Sequence, residues 1–334
     1  MPIDVRSASR THVGGREINE DAALLRPDLG LFVLADGAGG QGAGDIASHL
    51  ALEAIAGAFE ASGVDRGLRT DVDTFGLYVD ARRLVSAIQH ANRVVMERAK
   101  SENAEHAMGT TVVAALPAVS YGSIHVAHVG DSRCYRWREG LLELLTEDHS
   151  LLHDVLEMWP DMGDDVLKKL PRKVVTRALG MQEPLRVTVR TFELLPGDRY
   201  LLCSDGVTEA LAPQRLTLLL GGAESPDDVA GALVDAACEA GARDNITALV
   251  VVCERGRVEN ASSEAMSGTV ERAFLVPTGE REGTTLPPRD DEPEIVILGV
   301  AEGPQVVPRK GKKHQPEELG PEWREALDEL SRKA

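Results

Sequence analysis

The sequence has few cysteines, and none is placed to bind zinc or to cross-link a small fold. Cys134, Cys203, Cys238 and Cys253 include no C-x-x-C pair, and three of them lie within apolar runs. This pattern is typical of buried free thiols in a reducing compartment. It argues against a disulfide-stabilised secreted scaffold.

Basic blocks and long apolar runs are also missing. The formal net charge is −18, and clustered Lys and Arg, which hold phosphate backbones, are absent. No run approaches the eighteen apolar residues or so of a membrane span, and the N-terminus lacks the apolar core of a signal peptide. We therefore expect a cytoplasmic monomer that neither inserts into membranes nor binds nucleic acid.

Aromatic residues make up only 4% of the chain, so the 43% of hydrophobic residues must build a mainly aliphatic core. The apolar patterning stops near residue 255, and Glu, Pro, Gly and Thr dominate from there onward. Such a segment buries too little apolar surface to offset the entropy of ordering. We predict a domain over residues 1–255 and a flexible acidic tail over 256–334.

Alternating patterns within the domain predict helices over Ile46–Glu60, Asp80–Lys100 and Asp227–Gly241. The predicted strands are Leu31–Ala35, Thr110–Leu116, Ser123–Val129, the hairpin of residues 134–146, Thr188–Leu194, Tyr200–Ser204 and Ile246–Cys253. Several strands follow one another without an intervening helix, which favours antiparallel sheets. The expected fold is α+β, with a central β-sandwich of two antiparallel sheets flanked by helices on both sides.

The segment Leu31–Ser48 combines an apolar run, the dipeptide Asp36-Gly37, a glycine-rich turn and the start of a helix. A strand that ends in a carboxylate beside bare backbone lets a hard metal ion or a phosphate approach closely. An ordinary strand–turn–helix connection would have the same local sequence. The other acidic residues decide between these interpretations.

Carboxylates recur next to apolar strands along the whole domain. The other strand-end acidic residues are Glu20, Asp21, Asp131, Asp205 and Asp244. Their convergence without cations would cost heavily in repulsion and desolvation. An all-oxygen ligand set suits Mg²⁺ or Mn²⁺, and two such ions can clamp a phosphoryl group and activate a water molecule.

Seven short motifs occur in a fixed order: RxxNEDA from Arg16, the ADGAGGQGAG segment, MGTT from Met108, HVGDSR around Asp131, TRALG from Thr176, LLCSDGV around Asp205, and DNIT from Asp244. Together they resemble the bacterial form of the PPM/PP2C family of metal-dependent serine/threonine protein phosphatases. The resemblance covers roughly residues 6–254. It implies hydrolysis of phosphoserine and phosphothreonine by a metal-bridging hydroxide.

The resemblance also implies roles for individual residues. The implied metal site comprises Glu20, Asp21, Asp36, Gly37, Asp131, Asp205 and Asp244. Asp36 would bridge two Mn²⁺ or Mg²⁺ ions, and Asp131 would serve a third, weaker ion. Arg16 would bind the substrate phosphate, and Arg16, Asp36 and Asp205 would carry catalysis. A solvated surface charge is the alternative for Arg16.

Two positions depart from the family pattern. Ala38 stands where the eukaryotic branch has a histidine proposed as general acid, and Gln41 replaces the histidine of the usual bacterial motif. The proton donor for the leaving oxygen is therefore open. The alternative function is a catalytically weak or inactive scaffold acting through protein–protein contacts, although such a protein could lose the carboxylates that are present here.

Two further segments predict interactions. Residues 149–173 fall where family members carry a variable flap, which we expect to affect substrate choice. The tail holds an apolar run at Ile295–Val300 and a short amphipathic helix near residues 321–333, either of which could dock a partner. The implied partners are phosphorylated proteins and a bacterial Ser/Thr kinase whose action the enzyme would oppose.

Overall fold

The computed structural model describes residues 3–39, 42–62, 77–102, 108–160, 162–167, 170–171, 173–222 and 225–256. Within these ranges the strands are β1 (Ile3–His12), β2 (Asp21–Arg26), β3 (Leu31–Gly39), β4 (Met108–Thr110), β5 (Val112–Ala118), β6 (Ser123–Val129), β7 (Arg133–Arg138), β8 (Leu141–Leu144), β9 (Thr188–Glu193), β10 (Arg199–Cys203) and β11 (Ile246–Arg255). The helices are α1 (Ala43–Ala61), α2 (Val79–Ser101), α3 (Leu151–Met158), α4 (Asp164–Leu167), α5 (Asp205–Ala210), α6 (Pro213–Gly222) and α7 (Pro226–Glu239).

The strands form two antiparallel sheets, in the order β1-β11-β10-β7-β8 and β2-β3-β5-β6-β9, with β4 paired to β3. Apolar side chains from both sheets fill the space between them, among them Phe32, Tyr200 and Leu249. The predicted α+β sandwich is confirmed.

Helices cover the outer face of each sheet. The helices α1 and α2 bury an aliphatic cluster against the second sheet, with Ile55, Leu84 and Ile88 fully buried. A separate cluster, which includes Leu216 and Leu233, lies between the helices α5–α7 and the first sheet. The core is therefore mainly aliphatic, as the composition predicted. None of the described helices is both long and apolar enough to cross a membrane.

Several boundaries differ from the sequence prediction for physical reasons. The strand predicted over Thr110–Leu116 is divided into β4 and β5, because Thr111 turns its backbone N–H and hydroxyl to Asp36. The strand β1 was not predicted, since it has little apolar alternation and is held by its pairing with β11 along its whole length. The predictions for Gln41, Ile295–Val300 and residues 321–333 lie outside the described residues.

Candidate metal centre

The strands β2 and β3 place two carboxylates opposite each other. Asp21, the first residue of β2, pairs in register with Asp36 of β3. Directly opposed residues in an antiparallel pair have Cβ atoms about 5 Å apart. Like charges at such positions destabilise a sheet, so this pairing needs an explanation beyond the fold.

Hydroxyl and amide groups fix the backbone of Asp36. Its carbonyl oxygen accepts hydrogen bonds from the Thr111 backbone N–H at 2.8 Å and from Thr110 Oγ1 at 2.9 Å. The Asp36 N–H donates to Thr111 Oγ1 at 3.3 Å, and this oxygen lies 2.7 Å from Ser132 Oγ. Ser132 follows Asp131, so one network joins both acidic residues.

Gly37 lies where no side chain fits. A Cβ atom there would lie 2.2 Å from the Gly44 carbonyl oxygen and 2.6 Å from the Glu20 carbonyl oxygen. The Gly37 N–H donates to that Glu20 oxygen at 3.1 Å. The absence of a side chain therefore lets the start of α1 and the loop before β2 close against the end of β3. Glu20 is thereby brought next to Asp36.

The ends of β10 and β11 supply the remaining carboxylates. Ser204 follows β10, and its hydroxyl donates to Asp21 Oδ2 at 2.8 Å while accepting the Thr247 N–H at 3.0 Å. Asp205 is the first residue of α5, and Asp244 precedes β11. The Ser204 hydroxyl thus connects the two sheets at the edge where their acidic residues meet.

Asn245 organises the loop that carries Arg16, a role that the sequence reasoning missed. Its Oδ1 atom accepts the Glu20 N–H, and its Nδ2 atom donates to the carbonyl oxygens of Val13 and Ile18, each at 2.9 Å. A buried amide with these three bonds fixes the loop over residues 13–20. The available signal was the Asp-Asn dipeptide directly before β11, because Asn commonly bonds to the backbone of neighbouring loops.

Two cations approach the centre at Asp244. Arg16 Nη2 lies 2.6 Å from Asp244 Oδ2, and Lys173 Nζ lies 4.0 Å from the same oxygen. Lys173 Nζ also contacts Glu209 Oε2 at 2.7 Å. Both cationic side chains are more than half exposed. The more deeply placed carboxylates of Asp21 and Asp36 have neither cation as a direct partner among the described contacts.

The pKa values of three acidic side chains at this edge are raised. Burial, followed by the charge of Asp21 and then those of Asp205, Asp131 and Asp244, raises the pKa of Asp36 well above its ordinary value. Burial and then Asp244 raise the pKa of Asp205 to about 7, and burial raises that of Asp21 to about 6. The raised pKa values of Asp36, Asp205 and Asp21 thus follow from burial and from the charges of neighbouring carboxylates.

This arrangement fits a divalent cation. Asp21 Oδ1 is buried and has no hydrogen-bond partner, and an orphaned carboxylate oxygen of this kind is costly unless a cation meets it. The surrounding groups offer oxygen atoms only, which is the preference of Mg²⁺ and Mn²⁺. In the described part of the chain, no three acidic, histidine or cysteine side chains stand close enough to hold one ion as they lie. An ion would have to draw the carboxylates inward.

Comparisons with known proteins identify the family that the chain resembles. The protein phosphatase 2C family model matches residues 9–225. The chain is 32% identical over 232 residues to the serine/threonine phosphatase Stp of Listeria monocytogenes, covering 68% of this chain and 87% of that protein.

Two solved structures resemble the fold. The catalytic domain of the serine/threonine protein phosphatase PstP, solved with two manganese ions, has a TM-score of 0.62 and 28% identity, with 76% of this chain and all of that chain covered. PppA, a regulatory component of type VI secretion in Pseudomonas aeruginosa, has a TM-score of 0.61 and 34% identity, with 75% and 97% covered.

Proposed function

Since the chain belongs to the protein phosphatase 2C family, we propose that the carboxylates gathered at one edge of the sandwich hold the ions of a metal-dependent serine/threonine protein phosphatase. The proposed ligands are Glu20, Asp21, Asp36, Gly37 through its carbonyl oxygen, Asp205 and Asp244, with Asp131 serving a third, weaker ion. The observation that supports this most strongly is the pairing of Asp21 with Asp36 across β2 and β3, together with the buried Asp21 Oδ1 atom that has no hydrogen-bond partner among the described residues.

When bound, two such ions supply Lewis acidity to the phosphoryl group and lower the pKa of a water molecule. The protein's own residues position the substrate phosphate and the metal ligands. Arg16, on the loop that Asn245 fixes, would bind two oxygens of the phosphate through its planar guanidinium. Asp36 and Asp205 carry the charge that keeps the site selective for cations. The Ser204 hydroxyl would hold the Asp21 carboxylate in place, and Thr111 would hold the backbone of Asp36.

A non-catalytic scaffold with the same fold is the less favoured function. The networks around Asp21, Asp36 and Asn245 orient backbone and carboxylate groups that would have no role in a purely structural module. Conversely, an internal carboxylate cluster without cations only weakens the fold. The geometry therefore favours catalysis.

Several broader features belong to this proposal. The catalytic domain spans residues 1–255, with a flap over residues 149–173, and residues 256–334 form a tail that docks a protein partner. The substrates are phosphoproteins produced by a cognate bacterial Ser/Thr kinase, and the enzyme works in the cytoplasm as a monomer. The proton for the leaving oxygen is not supplied by Ala38, which has no group that could donate it.

The test is hydrolysis of a phosphothreonine peptide by the full chain in Mn²⁺, with EDTA and the Asp36→Asn variant alongside. We expect turnover that depends on Mn²⁺, and we expect both controls to abolish it. Activity that survives EDTA would contradict the metal mechanism. A full chain inactive with Mn²⁺ and with Mg²⁺ would favour the scaffold instead.

A further inference from the structure

We propose that Lys173 is a second substrate-phosphate-binding cation and acts together with Arg16. This inference rests on the proposed phosphatase function, and it adds a substrate-positioning residue to it. Lys173 was not among the site residues that the sequence indicated. It lies near the end of residues 151–174, the segment that contains α3 and α4 and is called the excursion below.

The backbone next to Lys173 is anchored. The Leu151 N–H donates to the Val174 carbonyl oxygen, and the Thr176 N–H donates to the His149 carbonyl oxygen, each at 2.9 Å. These bonds close the base of the excursion as a short antiparallel pair, with a bridge between Ser150 and Val175. The position of the Lys173 backbone therefore does not depend on how the rest of the excursion is arranged.

The ammonium group of Lys173 and the guanidinium of Arg16 approach the same carboxylate, although the two residues are far apart in the chain. Asp244 Oδ2 has Arg16 Nη2 at 2.6 Å and Lys173 Nζ at 4.0 Å. Two cations from remote parts of the chain thus converge on one carboxylate oxygen. A phosphate monoester dianion has three terminal oxygens and two charges, which is more than one guanidinium can neutralise.

Neither cation is locked in its present contact. The side chains of Lys173 and Arg16 are 62% and 56% exposed, and ion pairs made by exposed side chains contribute little to stability. If Asp244 serves as a ligand of a metal ion, the ion would offset its negative charge and weaken its attraction for both cations. A phosphate next to the ions then becomes the strongest anion within reach of the flexible lysine side chain.

Glu209 competes with the substrate for Lys173. Its Oε2 atom lies 2.7 Å from Lys173 Nζ, and it is carried by α5, which begins with Asp205. A purely structural role for Lys173 would consist of this ion pair, which ties the end of the excursion to α5. The two roles predict opposite effects when Glu209 loses its charge, so this residue provides a matched control.

The experiment measures inorganic phosphate binding to the Mg²⁺-loaded full chain by calorimetry, for the wild type, Lys173→Gln, Lys173→Arg and Glu209→Gln. We expect Lys173→Gln to weaken phosphate binding about five- to tenfold, as expected for loss of one charge-assisted hydrogen bond at a partly exposed site. Lys173→Arg should restore most of this affinity. Glu209→Gln should leave it unchanged or raise it, because the lysine is released.

Steady-state kinetics on a phosphothreonine peptide provide the second measurement. Lys173→Gln should raise KM with little change in kcat, and Mn²⁺ affinity should stay as in the wild type. The proposal is overturned if Lys173→Gln binds phosphate as the wild type does, or if Glu209→Gln weakens phosphate binding as much as Lys173→Gln. A wild type that binds phosphate but does not hydrolyse the peptide would refute the proposed function, and the binding series would still decide the role of Lys173.

Discussion

A buried or half-buried aspartate flanks each end of β10, and the two differ in the charges that surround their carboxylates. At the start of the strand, Asp198 is 1% exposed and fully paired. Arg138 donates to both of its carboxylate oxygens at 2.6 and 2.8 Å, and the Leu195 N–H and the Tyr200 hydroxyl donate to Oδ2 at 2.8 and 3.0 Å. The charge of this carboxylate is neutralised by Arg138, a residue of the protein itself.

At the other end of β10, Asp205 faces other acids. After burial, the charges of Asp244, Asp131 and Glu209 raise its pKa, and the charge of the exposed Lys173 lowers it. Asp21, joined to this end through the Ser204 hydroxyl, keeps one oxygen without a partner. Five residues of strand, about 17 Å, separate the two environments.

The difference distinguishes a carboxylate that stabilises the fold from one that serves a ligand. A buried charge must be compensated, and Asp198 is compensated by groups that fold with it. We propose that a cation from solution compensates the carboxylates around Asp205. Function is therefore expected at the Asp205 end of β10, where a buried carboxylate oxygen lacks a hydrogen-bond partner among the described residues.

Replacing Asp205 by Asn should give the largest effect on activity. We expect turnover of a phosphothreonine peptide in Mn²⁺ to fall by more than about 100-fold, since even groups that merely orient a ligand are worth about 10- to 100-fold. Without metal, the variant should melt at the same temperature as the wild type or higher, because one repelling charge is gone. A variant with wild-type turnover would remove Asp205 from the centre.

Asp198→Asn should show the opposite pattern. The Arg138 guanidinium loses its buried charged partner and keeps its contact with the exposed Glu193. We therefore expect the free energy of unfolding in urea to fall by about 3 kcal/mol, at the lower end for a broken buried pair because Arg138 is one quarter exposed. Turnover per folded molecule should stay within about twofold of the wild type, given that Asp198 lies a strand length from the centre. Equal stability of the two proteins would show that the Asp198 network is not structural.

Ser204→Ala should give a smaller effect, on both metal affinity and stability. Loss of the hydroxyl leaves Asp21 Oδ2 and the Thr247 N–H without a partner, so we expect Mn²⁺ affinity to drop about tenfold and stability to fall by about 1–2 kcal/mol.

Ser48→Ala is the matched control for that variant. This buried hydroxyl donates only to the Asp45 carbonyl oxygen in its own helix, and Mn²⁺ affinity should not change. If both variants bind Mn²⁺ like the wild type, the link through Ser204 does not orient Asp21.

The contrast between the two aspartates was only half visible in the sequence. Asp205 stands out because it follows an apolar strand within a motif, whereas Asp198 lies in a Pro-Gly-Asp connection between two strands and belongs to no motif. Its partner Arg138 is sixty residues away in the chain, and nothing local marks the pair. Charge pairing across a sheet depends on register, which sequence patterns leave open.

The main helices and the sandwich follow from periodicity, because their apolar residues must face a core. The supporting polar residues do not follow from it. Asn245 and Ser204 act through hydrogen bonds to residues that are distant in the chain, and the contact of Lys173 with Asp244 likewise joins remote segments. Such roles become visible only once the strands are in register.

Metal stoichiometry tests the central claim most directly. Equilibrium dialysis of the full chain against Mn²⁺ should give two tightly bound ions per chain for the wild type and for Asp198→Asn, and fewer than two for Asp36→Asn. The account is contradicted if the wild type binds no Mn²⁺, or if Asp36→Asn binds as many ions with the same affinity as the wild type.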